Sequence, residues 1–197
     1  MIFYEEFREV EFSQNNEVYS LSPMAFAKDG SGGEYVILED ESIGFIGSEG
    51  QVGRVAESLK DLLAFLLHAG FISDFSCRLL YQNKHLLSQF CKGFLKKVRE
   101  NYQSKGEVWD KERAGIAKKL RIYFNPDKLE ELAMKFYKTA TRTPLFTCTY
   151  HHGDEEYSCD PVLSDIIGLW VLELVGMTRE EVMNYTRFGN IDERGSI

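Results

Sequence analysis

Apolar and polar positions change period along this chain, and the changes mark its elements. Residues 2–12 alternate loosely, as an edge strand does. Residues 17–21 and 24–28 read as strands on either side of Pro23, which favours an edge or a bend. After the turn Asp29-Gly30-Ser31-Gly32-Gly33 come Val36, Ile37 and Leu38, an uninterrupted apolar run that predicts a strand covered on both faces. Residues 40–42 predict the next turn and 43–46 a further short strand. Beyond the glycine-rich stretch 47–53, Val52, Val55, Ala56, Leu59, Leu62, Leu63 and Leu66 fall at three-and-four spacing. The spacing predicts one helix over 52–69, ended by Gly70 in the left-handed conformation.

The helical period dominates from Phe71. Leu79, Leu80, Leu86, Leu87, Phe90, Cys91, Phe94, Leu95 and Val98 recur at three-and-four spacing, with Gly93 a weak point among them. A second basic helix carries Trp109, Ile116, Ala117, Leu120 and Phe124 on one side. Asn125-Pro126-Asp127 predicts a third helix start, by a capping side chain, a first-turn proline and an acid at the positive dipole end. Residues 145–152 and 155–159 predict a β-hairpin across Gly153-Asp154. Asp160-Pro161 predicts the start of an apolar helix ending at Gly176, and Thr178-x-x-Glu181 is a capping box for a last short helix. Residues 189–197 are expected to fray. The fold class expected is α+β: a small, mostly antiparallel N-terminal sheet packed on helices, with a helical C-terminal half. One domain is expected over 1–197, made of a sheet-plus-helix part at 1–70 and an extension at 71–197 that carries the hairpin near 145–159.

The string Phe26-Ala27-x-Asp29-Gly30-x-Gly32-Gly33-Glu34-Tyr35, followed by a short strand and by Val55-Ala56-Glu57-Ser58-Leu59-x-x-Leu62-Leu63-x-Phe65-Leu66, resembles the core of the SUKH superfamily. That superfamily includes bacterial immunity proteins that neutralise toxins and fungal regulators of cell-wall synthesis. The resemblance implies a SUKH-like fold and a non-catalytic protein-binding module whose partner is a toxin domain. The alternative it implies is a regulatory or scaffold protein in cell-envelope synthesis.

Charge sharpens that picture. The 197 residues are 44% hydrophobic, enough for a real core, and the net charge is −8. Residues 1–70 carry −9, residues 71–143 carry +8 and residues 144–197 carry −7. With the family likeness, the acidic first segment suggests that Asp29, Glu34, Glu39, Asp40, Glu41 and Glu49 meet a cationic groove of the partner, standing in for phosphates and speeding encounter. The basic helices over 84–121 are read as complementing the chain's own acidic sheet and tail, so no nucleic acid is expected.

Four cysteines without a C-x-x-C, and an acidic N-terminus where a signal peptide needs basic residues, lead to an expectation of reduced thiols and a cytoplasmic protein. No membrane association is expected: the apolar run 162–175 is interrupted by Asp165, Gly168 and Glu173 and is short for a bilayer.

Motif spacing bears on three other chemistries. Gly44, Gly47, Gly50 and Gly53 before a helix suggest phosphate binding, and a small-ligand or enzymatic role at the 47–53 loop is the remaining alternative. However, neither nucleotide fingerprint is present and Glu49 would repel phosphate. Cys148, His151, His152 and Cys159 form a possible zinc set, but strand alternation separates them: His152 lies four residues from Cys148, roughly 13 Å along a strand. No serine-hydrolase or zinc-protease motif occurs, and nothing brings His68 or His85 to a serine. No enzyme, cofactor or metal is expected.

Overall fold

The computed structural model describes residues 1–10 and 16–188. Strands β1 (Ile2–Arg8), β2 (Val18–Tyr19), β3 (Pro23–Lys28), β4 (Glu34–Leu38), β5 (Ile43–Ile46) and β6 (Gln51–Ala56) precede helix α1 (Leu59–Ala69). Helices α2 (Lys84–Gln103), α3 (Trp109–Leu120) and α4 (Leu129–Ala140) follow. Next come the hairpin strands β7 (Cys148–His152) and β8 (Glu155–Ser158), the short strand β9 (Asp160–Pro161), and helices α5 (Leu169–Val175) and α6 (Arg179–Phe188). The fold class is α+β with a mostly antiparallel N-terminal sheet, as expected. Residues 11–12 of the expected first strand, and the expected fraying of 189–197, lie outside the described residues. The chain divides into two compact units: Met1–Leu63 with Lys135–Ser164, and Ala64–Met134 with Asp165–Ile197.

The first unit holds both sheets. One has the order β1-β3-β4-β5-β6-β9, antiparallel throughout except for the parallel pair β6–β9; the other is β2-β7-β8. Leu21, Ala25, Val36, Leu38, Ile46 and Val52 form a core with Phe146 and Cys148. Gly44 leaves the space this needs: a Cβ there would stand 2.7 Å from the Phe146 ring. A row of aromatic rings, Phe3, Phe26, Tyr35 and Phe45, crosses four strands with centroids 6.1, 6.5 and 5.1 Å apart.

Two expectations are corrected here. The helix predicted over 52–69 is two elements: residues 51–56 form β6, and α1 begins at Leu59. Val52, Val55 and Ala56 match the helical spacing by coincidence, while β6 takes a place between β5 and β9 that no local signal announces. Gly53 fits this strand because a Cβ there would collide with Val162. Ser58 marks the true start, its Oγ accepting the Asp61 N–H at 3.2 Å. Likewise, the helix predicted from Asp160-Pro161 starts only at Leu169. Asp160 and Pro161 instead lie opposite Gln51 and Val52, and the Val162 N–H donates to the Val52 carbonyl at 3.1 Å.

In the second unit the expected capping signals hold, but two helix extents are corrected. Leu79 and Leu80 lie in a separate 3-10 turn, Arg78–Gln82, before α2. Helix α3 ends at Leu120 with Arg121 at φ +55°, so Phe124 lies beyond it. Asn83 caps α2 by accepting the Leu86 N–H at 3.1 Å. Asn125 accepts the Asp127 N–H at 3.0 Å before α4. Thr178 and Glu181 form the capping box of α6, and Gly70 and Gly176 take φ of +81° and +67°. Phe75 packs against Phe65, Phe90 and Phe94 at centroid distances of 5.4, 5.2 and 5.2 Å. Gly93 has a packing reason: a Cβ would run into the Leu174 carbonyl oxygen, so its absence lets α5 lie against the backbone of α2. Among the described residues no helix is long and apolar enough to cross a membrane.

Candidate binding surface

The six acids singled out in the sequence do not form one surface. Asp29 and Glu49 lie at one end of the large sheet, in the β3–β4 and β5–β6 turns, where a Cβ on Gly32 would be 3.9 Å from that of Ser48. Glu39, Asp40 and Glu41 lie in the β4–β5 turn, at the other end, about 17 Å away along a five-residue strand. Asp29 shapes its own turn, accepting the Ser31 and Gly33 N–H groups at 2.9 Å each. Glu34 is a correction: it is fully buried, because it shares the inward face of β4 with Val36 and Leu38. The Tyr4 hydroxyl donates to it at 2.7 Å and Arg8 lies 3.4 Å away. It holds the interior together and cannot meet a partner.

The glycines at 47–53 are also placed differently. They do not precede a helix. The Gly47 N–H donates to the Gln51 carbonyl at 2.7 Å, and Gly50 takes φ of +87°, closing a hairpin between β5 and β6. The helix N-terminus on which the phosphate reading rested is not there.

The β4–β5 turn is built most firmly. Arg54, 1% exposed, donates through Nε to Ser42 Oγ at 2.7 Å and through Nη2 to Asp40 at 2.8 Å. Its Nη1 donates to the carbonyls of Arg142 and Pro144 at 3.2 and 2.7 Å. Arg142 closes the other side, reaching Asp40 at 3.0 Å and Glu57 at 3.1 Å. Burial raises the Asp40 carboxyl, but the Ser42 and Arg142 hydrogen bonds and the Arg54 charge outweigh it and lower it to about 2. Glu39 and Glu41 stand exposed on either side, with Glu41 at φ +64°. No family model, no curated protein and no solved structure matches this chain.

The hairpin has the expected register, with His152 opposite Glu155 and the Cys159 N–H on the Cys148 carbonyl at 2.9 Å. Burial, then the neighbouring Cys159, pushes the Cys148 thiol up to about 12, which disfavours the thiolate. His68 is buried and fills a structural role: Nδ1 lies 2.7 Å from the Ala64 carbonyl, while Nε2 lies 3.0 Å from the Asn125 carbonyl and accepts the Asn125 N–H at 3.3 Å. His85 stacks on Tyr185. In the basic helices, Arg99 pairs with Asp110 at 2.9 Å and Lys97 with Glu173 at 2.5 Å.

Sequence reasoning missed Arg54, whose burial beside carboxylate and carbonyl oxygens depends on pairings distant in sequence. It also missed β1. Ile2, Phe3 and Phe7 on this edge strand are 59%, 55% and 64% exposed. The signal was present as three large apolar residues in a stretch read as an edge.

Proposed function

We propose that this chain is a non-catalytic protein-binding module, an immunity protein of the SUKH kind that covers a cationic site on a toxin. The observation that carries the reading is the braced β4–β5 turn, with Glu39 and Glu41 exposed on either side of an Asp40 held by Arg54 and Arg142. Acids on a fixed backbone lose little freedom on binding, and they steer a cationic partner toward the turn. Acidic character across the first unit supports the same reading: it carries 7 basic and 17 acidic residues. The protein acts in the cytoplasm, where its four cysteines stay reduced.

Affinity capture from the native host followed by mass spectrometry identifies the partner. Its association is then compared for the parent chain and for Glu39→Lys/Glu41→Lys. Association is expected to slow about tenfold at low salt, with the difference shrinking as salt is added. Equal rates for the two chains would remove the turn from the account.

A further inference from the structure

We propose that β1 is a docking edge for a cationic, extended segment of the protein partner, with Phe3 and Phe7 as its apolar anchors. The inference rests on the binding-module reading above and names where and what the module grips. Among the described residues β1 pairs with β3 alone, and none of them pairs with its outer edge. Its register slips between Phe3, opposite Ala27, and Arg8, opposite Ala25, so residues 4–7 bulge against Phe26 alone. Arg8 and Tyr4 hold the bulge from inside, through Glu34 and through the guanidinium lying 3.6 Å over the Tyr4 ring. Phe3 is seated on Phe26, and Phe7 stands free of any ring contact in the described residues.

A bulge and exposed charge are ordinary protection for a sheet edge, and Glu5, Glu6 and Glu9 would serve for that alone. Protection does not account for two phenylalanines more than half exposed on the same edge; they work against it. An apolar centre with a charged rim is instead the composition of a binding patch.

The rim decides the occupant. Glu5, Glu6 and Glu9 are exposed and have no ion-pair partner among the described residues, while Arg8 is engaged with Glu34. A second copy paired through the same edge would set the carboxylates of both chains against one another. A strand that presents basic and apolar side chains in turn along one face, at every second residue, satisfies Glu5 and Glu9 together with Phe3 and Phe7, which share a face of β1 by strand alternation. It also supplies main-chain hydrogen bonds to the outer edge.

The probe is a capped peptide of about eight residues with Lys and Val in turn at every second position and Thr between them, the Lys–Val peptide, with a counterpart in which Glu replaces Lys, the Glu–Val peptide. Each is titrated into the full chain, with calorimetry for affinity and amide shifts for location. The Lys–Val peptide is expected to bind and shift residues 2–9, and the Glu–Val peptide to leave them unmoved. Phe7→Ser should weaken binding about tenfold or more. Because Phe7 is mostly solvent-exposed, circular dichroism should show that variant folded. Glu5→Lys/Glu6→Lys should move the preference to the Glu–Val peptide, whereas Glu39→Lys/Glu41→Lys should leave Lys–Val binding as it was.

Absence of Lys–Val binding, equal binding of the two peptides, or indifference to Phe7→Ser would overturn the proposal. So would a dimer of the parent chain in sedimentation that Phe7→Ser dissolves, since the occupant would then be a second copy. Loss of binding in Glu39→Lys/Glu41→Lys but not in Phe7→Ser would discard the edge and leave the turn surface standing.

Discussion

The two units bury different things. In the sheet unit Glu34 and Arg54 are 0% and 1% exposed, each tied to named polar partners. In the helical unit Phe75, Phe90 and Phe94 fill the corresponding place, and ion pairs such as Lys97–Glu173 and Lys128–Glu131 lie where water screens them. A buried charge fixes direction as well as distance, so the sheet unit is held in one geometry by contacts that cannot be exchanged singly. Packed rings tolerate a change of shape better than the loss of volume. The rigid unit is also the one that carries the exposed acids and the β1 edge, which suits a surface that must keep its shape before a partner arrives.

Breaking one partner of the Arg54 set should have the largest effect. Asp40→Ala leaves a buried guanidinium without its carboxylate, and the expected loss is about 3 kcal/mol in chemical denaturation. That is the low end for a buried pair, because Asp40 is 32% exposed and Arg54 keeps two carbonyl acceptors. A loss no larger than that of a surface pair would show that the buried arginine is not what holds the turn.

Two helical glycines sharpen the comparison from the other side. Gly93→Ala pushes a Cβ into the Leu174 carbonyl, which is backbone and cannot step aside, so a loss of about 2 kcal/mol is expected despite the gain in helix propensity. Gly115→Ala in α3 meets open space and should raise stability by about 0.5–1 kcal/mol. Thermal melts of both variants check the pair; changes of the same sign would contradict the packing described.

Acid should find the helical unit first. Burial holds His68 below its ordinary value near 6.5, against the pull of the Ala64 and Asn125 carbonyls and with a further push from Arg113. The unfolded chain therefore takes up a proton before the folded one, and stability is expected to fall as pH drops below 6.5. Asp40 is lowered from 3.8 to about 2, so its contribution is present above 3.8 and is lost as pH falls toward 2. Denaturation midpoints across this range, for the parent and for His68→Gln, separate the two limbs: the variant should lose the upper one and keep the lower. Smallest of all, Lys97→Ala should leave the melting temperature within experimental error, since its pair with Glu173 is solvent-exposed.

Much of this fold was legible because its signals are local. The Thr178–Glu181 box, the Asn125 cap, the glycine stops at 70 and 176, and the hairpin across Gly153 each need only a few neighbouring residues, and each formed as read. The failures share a cause. Residues 51–56 and 160–161 pair with each other across more than a hundred positions, and nothing near either stretch announces it. Glu34 was misjudged for a related reason: strand alternation put it on the face of Val36 and Leu38, and only the return of Tyr4 and Arg8 makes a buried carboxylate tolerable there. Of the proposed surface, the exposed acids of the β4–β5 turn could be read from composition. The bracing of that turn could not, because Arg142 is distant in sequence.

Hydrogen exchange of the full chain, alone and with the captured partner, tests the central claim most directly. Added protection is expected in β1 at residues 2–9 and around the turn at 39–42, with α2 and α3 unchanged. Protection confined to the basic helices over 84–121 would contradict the account and move the binding surface to the other unit.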